Sequence, residues 1–163
     1  MFSFPNPVDE VSARLVAGGV VLMCVCAVAL RQPWLIVVIA YGFLARVLTG
    51  PTLSPLGQLV TRGVRPLLRI PARPVPGPPK RFAQGIGAAM SLIAVVLAFG
   101  LHHVGVAFAV LVLLASAAAL EAFFGVCLGC AIFARLTRMG LIPEAVCEAC
   151  NDITRRYDAP TNP

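Results

Sequence analysis

The sequence predicts an all-α fold, an integral membrane bundle of four transmembrane helices with a Pro/Arg-rich cytoplasmic loop and a short cytoplasmic C-terminal helix. Three observations carry this reading. Of 163 residues, 59% are hydrophobic and only 12% charged, against roughly 25% charged in a soluble domain whose surface must be hydrated. The mean hydropathy is +0.89. The apolar residues also gather into long runs, with the arginines and lysines placed between them.

Residues 1–12 form an N-terminal segment expected on the cytoplasmic side. It has no basic stretch ahead of the first apolar run and no small-residue cleavage pattern, so that run reads as a retained helix and not as a signal peptide. The first span is Ala13 to Leu30, with Arg14 at its edge. A bilayer core of about 30 Å takes about 20 helical residues. Arg31-Gln32-Pro33 makes a tight turn into a second run, Trp34 to about Leu48, which Thr49-Gly50-Pro51 closes. This run is short and contains Arg46. Residues 13–48 therefore read as a transmembrane hairpin.

Residues 49–81 differ in kind. Pro51, Pro55, Pro66, Pro71, Pro74, Pro76, Pro78 and Pro79 oppose a continuous helix. Arg62, Arg65, Arg69, Arg73, Lys80 and Arg81 have no acidic residue among them. A short amphipathic helix on the headgroups fits Leu56 to Ile70, and an extended linker fits Arg73 to Pro79. The second hairpin is residues 82–136. Its first helix is Phe82 to Leu101, and His102-His103 turns into a run that stays apolar to Ala134 except for Glu121. As one helix that run would be about 46 Å long, more than a membrane requires, so it must tilt, break or emerge.

Basic loops stay in the cytoplasm. This places the loop at 49–81, both termini and Arg135, Arg138, Arg155 and Arg156 inside an inner membrane, with Arg31 and His102-His103 outside. The net charge of +6 is then a juxtamembrane feature facing anionic lipid. No aromatics interleave with the basic residues, so a nucleic-acid partner is not expected. Gly85 with Ala89, Ala115 with Ala119 and Gly125 with Gly129 have the spacing that lets membrane helices approach closely. No nucleotide-binding loop, catalytic triad or carboxylate dyad appears, and an enzymatic role stays open.

The candidate chemistry lies in the cysteines. Cys127-Leu128-Gly129-Cys130 falls at the inner end of the fourth run, and Cys147-Glu148-Ala149-Cys150 in the tail (137–163). Three readings compete. With sixteen residues between the pairs, Cys127, Cys130, Cys147 and Cys150 match a four-cysteine zinc site or an iron–sulfur ligand set. Alternatively, each pair is a redox-active dithiol or persulfide carrier, with Cys147 and Cys150 as relay or resolving thiols.

The position of Cys127 and Cys130 at a helix C-terminus weighs against a redox role, because the dipole there opposes a thiolate. If Gly125 and Gly129 break the helix, Cys130 would begin a new one and escape that penalty. In the third reading cysteines simply pack as small apolar side chains, and this suits Cys24 and Cys26. For Cys147 and Cys150, Pro143 marks the start of a helix from Glu144 to about Arg155. Glu121 is the one acidic residue within a span, a functional candidate by default. Arg46 or Arg14 is its expected ion-pair partner.

The chain resembles a domain-of-unknown-function family of small bacterial membrane proteins, found in actinobacteria among others. The likeness rests on Asn6-Pro7-Val8-Asp9, Pro51-Thr52-Leu53-Ser54-Pro55, Pro79-Lys80-Arg81-Phe82-Ala83-Gln84 and Phe124-Gly125-Val126-Cys127-Leu128-Gly129-Cys130, and extends to about Leu141. Members are encoded near thioredoxin-like proteins and thiosulfate sulfurtransferases. The resemblance thus implies thiol or sulfane-sulfur handling by Cys127 and Cys130 with a partner of one of those kinds. A quinone-linked disulfide oxidase would place its cysteines outside, opposite to the charge bias. Transport would require a homo-oligomer to line a path.

Overall fold

The computed structural model describes residues 7–68 and 70–141. Four helices form a ring: α1 (Glu10–Ala29), α2 (Trp34–Thr49), α5 (Gly77–Val95) and α6 (Val104–Ala119). Helix α2 packs mainly on α5 and α1 mainly on α6, with α5 against α6 and α1 against α2 closing the ring. Between α2 and α5 run two single-turn helices, α3 (Pro55–Gln58) and α4 (Arg65–Leu68). After α6 comes α7 (Leu128–Arg138), which lies on α5.

Three helices are long and apolar enough to cross a membrane: Glu10–Ala29, Gly77–Gly100 and Val104–Phe124. Helix α2 has 16 residues, about 24 Å of rise. The exterior matches lipid and not water. Leu22, Val25, Val37, Val38, Leu92, Ile93, Val96, Val112 and Leu113 are all exposed, more large apolar side chains than a soluble monomer would display.

The interior is built from small side chains that let backbones approach. The buried stripe of α5 is Gly87, Ser91, Ala94 and, one turn on, Ala98. Gly85 faces open space and Ala89 is exposed, so the interface runs along this neighbouring register. At Gly87 the ring of Phe43 occupies the place of a Cβ. Cys24 is buried among Val20, Ile36, Ile39 and Leu111, as the packing reading of that residue expects.

The long fourth run breaks. Its helix ends in a π turn, Leu120–Phe124, and Gly125 adopts φ +71°, a left-handed conformation that costs glycine nothing. The chain restarts as the separate helix α7. The third span begins earlier than expected, at Gly77, because Pro78 and Pro79 occupy its first turn, where a missing N–H breaks no helical hydrogen bond. The segment at 55–68 is helical as expected, with a π turn at Leu59–Val64 just ahead of Pro66. That proline has no N–H to give to the carbonyl of residue 62, and the widened turn relieves its ring.

The basic loop is tied down by an acid from outside it. Val8–Asp9 (β1) pairs antiparallel with Pro74–Val75 (β2), a short ladder within an otherwise all-α chain. Asp9 caps α1 by accepting from Ser12 N (3.3 Å) and Oγ (2.8 Å), and also accepts from Arg65 Nε (2.6 Å) and Arg73 N (3.1 Å). Burial alone would raise the Asp9 pKa, but the hydrogen bonds from Arg65, the Ser12 hydroxyl and Arg73 N, with the charge of Arg65, outweigh it and hold the carboxyl at about 2. A folded-state value below the unfolded one stabilises above the unfolded pKa and is lost as pH falls through the folded one. Acidification from pH 5 to pH 2 should therefore remove about 1–2 kcal/mol of local stability, allowing for screening at a partly exposed pair. Hydrogen exchange at Arg73 and Val75 will report it, and Asp9→Ala should show the same exchange at neutral pH.

Candidate functional site

The break at Gly125 decides the chemistry of the first cysteine pair. The Gly125 and Val126 N–H groups turn back to the Glu121 and Leu120 carbonyls (3.1 and 3.2 Å), which closes the π turn. Arg14 donates to the Ala122 and Phe123 carbonyls (3.0–3.2 Å), satisfying orphan groups at that helix end. Val126 and Cys127 are then outside the helix, and Cys127 is the N-cap of α7 with φ −92° and ψ 105°. Its carbonyl accepts from Ala131 N at 3.0 Å. Cys130 follows as the third residue of α7. The dithiol therefore stands at a helix start, where the dipole favours a thiolate. The helix break required for a redox role is present, but Gly125 alone makes it: Gly129 lies inside α7, and Cys127, not Cys130, begins the new helix.

Gly129 has another role. A Cβ there would lie 2.5 Å from Ala83 Cα and Cβ, so only glycine lets α7 seat on the backbone of α5. The Phe82 and Phe133 rings meet beside it with centroids 5.6 Å apart. Both cysteines are half-buried free thiols, opening on a groove of about 380 Å³ walled by Pro76, Pro79, Lys80, Phe133 and Ala134.

Glu121 pairs with neither residue anticipated for it. Its partner is Lys80, with Nζ 2.5 Å from Oε1 and both side chains largely buried. Lys80 reads as a loop cation in the sequence but lies in the first turn of α5, aimed at the end of α6. Arg14 is engaged by backbone carbonyls. Arg46 is 5% exposed and donates from Nε to Gln84 Oε1 (2.9 Å) and from Nη1 to Ser54 Oγ (3.3 Å). Its guanidinium lies 4.5 Å from the centroid of the Phe43 ring. Arg46 and Glu121 still share a neighbourhood, lining a small cavity of about 80 Å³ with Gln84 and Leu128.

These charges tune the dithiol. The Cys127 thiol is drawn down to about 7, first by the adjacent Cys130 thiol, against burial and the Glu121 carboxylate, with help from the Cys130 backbone N–H and the Lys80 ammonium. The Cys130 thiol is pushed upward by Cys127 beside it and then by burial. The two sulfurs are thus unequal, one poised to ionise near neutrality and the other held as a thiol. Among the described residues, no group of three or more His, Cys, Asp or Glu side chains could hold a metal ion. A four-cysteine centre depends on Cys147 and Cys150, which lie outside the described residues, as does the expected helix at Glu144–Arg155.

Sequence reasoning singled out Cys127, Cys130, Glu121 and Arg46, and the fold brings all four to one end of the bundle. It missed Lys80, Gln84 and Ser54. The available signal was spacing: Lys80 and Gln84 are one turn apart at the head of the third helix.

Fold and site together define an all-α bundle, three of whose apolar helices are of membrane length, with a vicinal dithiol at the head of the short helix that follows the third of them. The sequence profile described as domain of unknown function DUF4395 matches residues 8–138, and the chain belongs to that family. No curated protein and no solved structure matches the chain at a significant level.

Proposed function

We propose that this chain is a multi-pass thiol protein of a bacterial inner membrane. In this reading it has four spans, both termini inside, and a Cys127–Cys130 dithiol that works at the cytoplasmic surface. The observation that carries the proposal is the vicinal pair at the start of α7, with Cys127 as its N-cap and Cys130 its third residue beside the Lys80–Glu121 pair, an arrangement that draws the Cys127 thiol down to about 7. An attacking thiol works best when its pKa is close to the ambient pH. The positive charge of the loops supports the orientation, and α2, though short, completes an even number of crossings.

The reaction is thiol–disulfide exchange with a soluble partner, a thioredoxin-like protein or a sulfurtransferase. The Cys127 thiolate attacks the partner's disulfide, forming a mixed disulfide and releasing one partner thiolate, which takes up a proton. Cys130 then loses its proton and attacks Cys127 Sγ, leaving a Cys127–Cys130 disulfide and a fully reduced partner. The reverse sequence reduces the membrane protein. With a persulfide donor, Cys127 would accept the terminal sulfur and the donor would leave as a thiol.

Cys130→Ser should trap the mixed disulfide, giving a covalent adduct on non-reducing gels that Cys127→Ser abolishes. A Cys127→Ser variant that leaves every thiol and sulfur phenotype of the cell intact would count decisively against the proposal. Labelling of the pair by a membrane-impermeant reagent in intact cells would overturn its placement.

One observation favours a second reading: the spacing of Cys127, Cys130, Cys147 and Cys150 suits a structural zinc or iron–sulfur site holding the tail. About one zinc per purified chain, lost together with either pair, would select it.

A further inference from the structure

Among the described residues, a buried charge on the far side of Lys80 has no acid of its own. Arg46 is 5% exposed and its hydrogen bonds go to neutral groups, Gln84 and Ser54. The nearest acids are already engaged, Glu121 by Lys80 and Asp9 by Arg65. Arg46, Lys80 and Glu121 together carry one net positive charge in a region where a lone ion is costly to desolvate. Beside Arg46 is a cavity of about 220 Å³ between the N-terminal segment, α1, α2 and the 49–81 loop, whose polar lining includes Ser12, Thr61, Lys80 and Gln84. A guanidinium forks onto two oxygens of one anionic group; the Asp9 carboxylate also lines the cavity but is held by Arg65 Nε and Arg73 N, and the rest of the wall is apolar.

We propose that this cavity is an anion site in which Arg46 binds the oxyanion head of a small molecule or of a lipid. The ligand balances the Arg46 charge, accepts from the side chains around it and leaves its apolar part against Val8, Ala13 and Val16. The site stands apart from the groove of the dithiol and shares only Lys80 with it. It does not depend on the thiol function proposed above.

The test is the thermal stability of the full chain. In detergent, sulfate, thiosulfate and acetate are titrated against chloride of matched ionic strength. In nanodiscs, phosphatidylglycerol is compared with phosphatidylcholine. A saturable rise of about 5 °C at a hundredfold excess over Kd is expected from a specific anion. Arg46→Met should abolish the rise. Thr61→Leu, which fills the cavity and leaves Arg46 in place, should abolish it as well and keeps the test decisive if Arg46→Met fails to fold. A response to the soluble anions identifies a small-molecule ligand, and a response only to phosphatidylglycerol identifies a headgroup. No response in either arm, or a response that survives either substitution, overturns the site.

Discussion

Gly129→Val should lift helix α7 off the bundle and raise the pKa of Cys127 toward that of an ordinary thiol. The new Cβ would lie 2.5 Å from Ala83 Cα and Cβ. Those atoms belong to α5, which is held on its other faces by α2 and α6 and has little room to move. Overpacking of this kind costs about 1–3 kcal/mol. Helix α7 rests mainly on α5 and is stapled there by Phe82 and Phe133, so that cost rivals everything holding it. The bundle itself should survive, and melting followed by circular dichroism should change little. Trypsin cleavage at Arg135 and Arg138 should accelerate at least tenfold. Unchanged cleavage together with an unchanged alkylation pH profile would show that α7 does not need this seat.

Lys80→Met should cut the alkylation rate of Cys127 at pH 7 by about fivefold, the effect of a one-unit rise on the thiolate fraction of a group that starts at about 7. The substitution removes a cation that favours the thiolate and leaves the Glu121 carboxylate unneutralised beside it, so both changes act in one direction. Breaking a buried pair is also destabilising, by about 3–5 kcal/mol. The double variant Lys80→Met with Glu121→Leu removes both charges and should recover most of that stability. Its Cys127 pKa should return to the parent value or fall below it, because the Glu121 carboxylate opposes the thiolate more than the Lys80 ammonium favours it. The measurement is alkylation rate against pH in a chain with Cys24, Cys26, Cys147 and Cys150 replaced. A profile centred at about pH 7 in the Lys80→Met variant would remove the ion pair from any part in tuning the thiol.

Much of this was legible before the structure. Runs of apolar residues bounded by Arg31-Gln32-Pro33 and His102-His103 place the helices because membrane-length hydrophobic periodicity is a local property. The rupture of the fourth run was legible in kind, since it was too long and carried Gly125, although a sequence cannot say which glycine yields. Gly125 yields because only it must turn left-handed, and Gly129 is spent on contact with Ala83. Partner choice was not legible. The arginine in a span drew attention to Arg46 for Glu121, whereas Lys80 reaches it from a helix that starts five residues earlier than the prolines suggested. Asp9 stands 64 residues from Arg73, and no local pattern announces that contact.

The union of Val8–Asp9 with Arg73 and the Pro74–Val75 strand also bears on the order of events. Bringing together points 64 residues apart costs about 4 kcal/mol of chain entropy, more than the 1–2 kcal/mol that the Asp9 ionisation supplies. The ends must therefore be delivered to each other by α1, α2 and α5 already in place, and the short ladder closes last. What closes last at small gain opens first. Pro7, Val8 and Asp9 wall the Arg46 cavity, while Val75 and Pro76 wall the dithiol groove. One fluctuation at this seam would reshape the walls of both, far below the energy needed to melt the bundle.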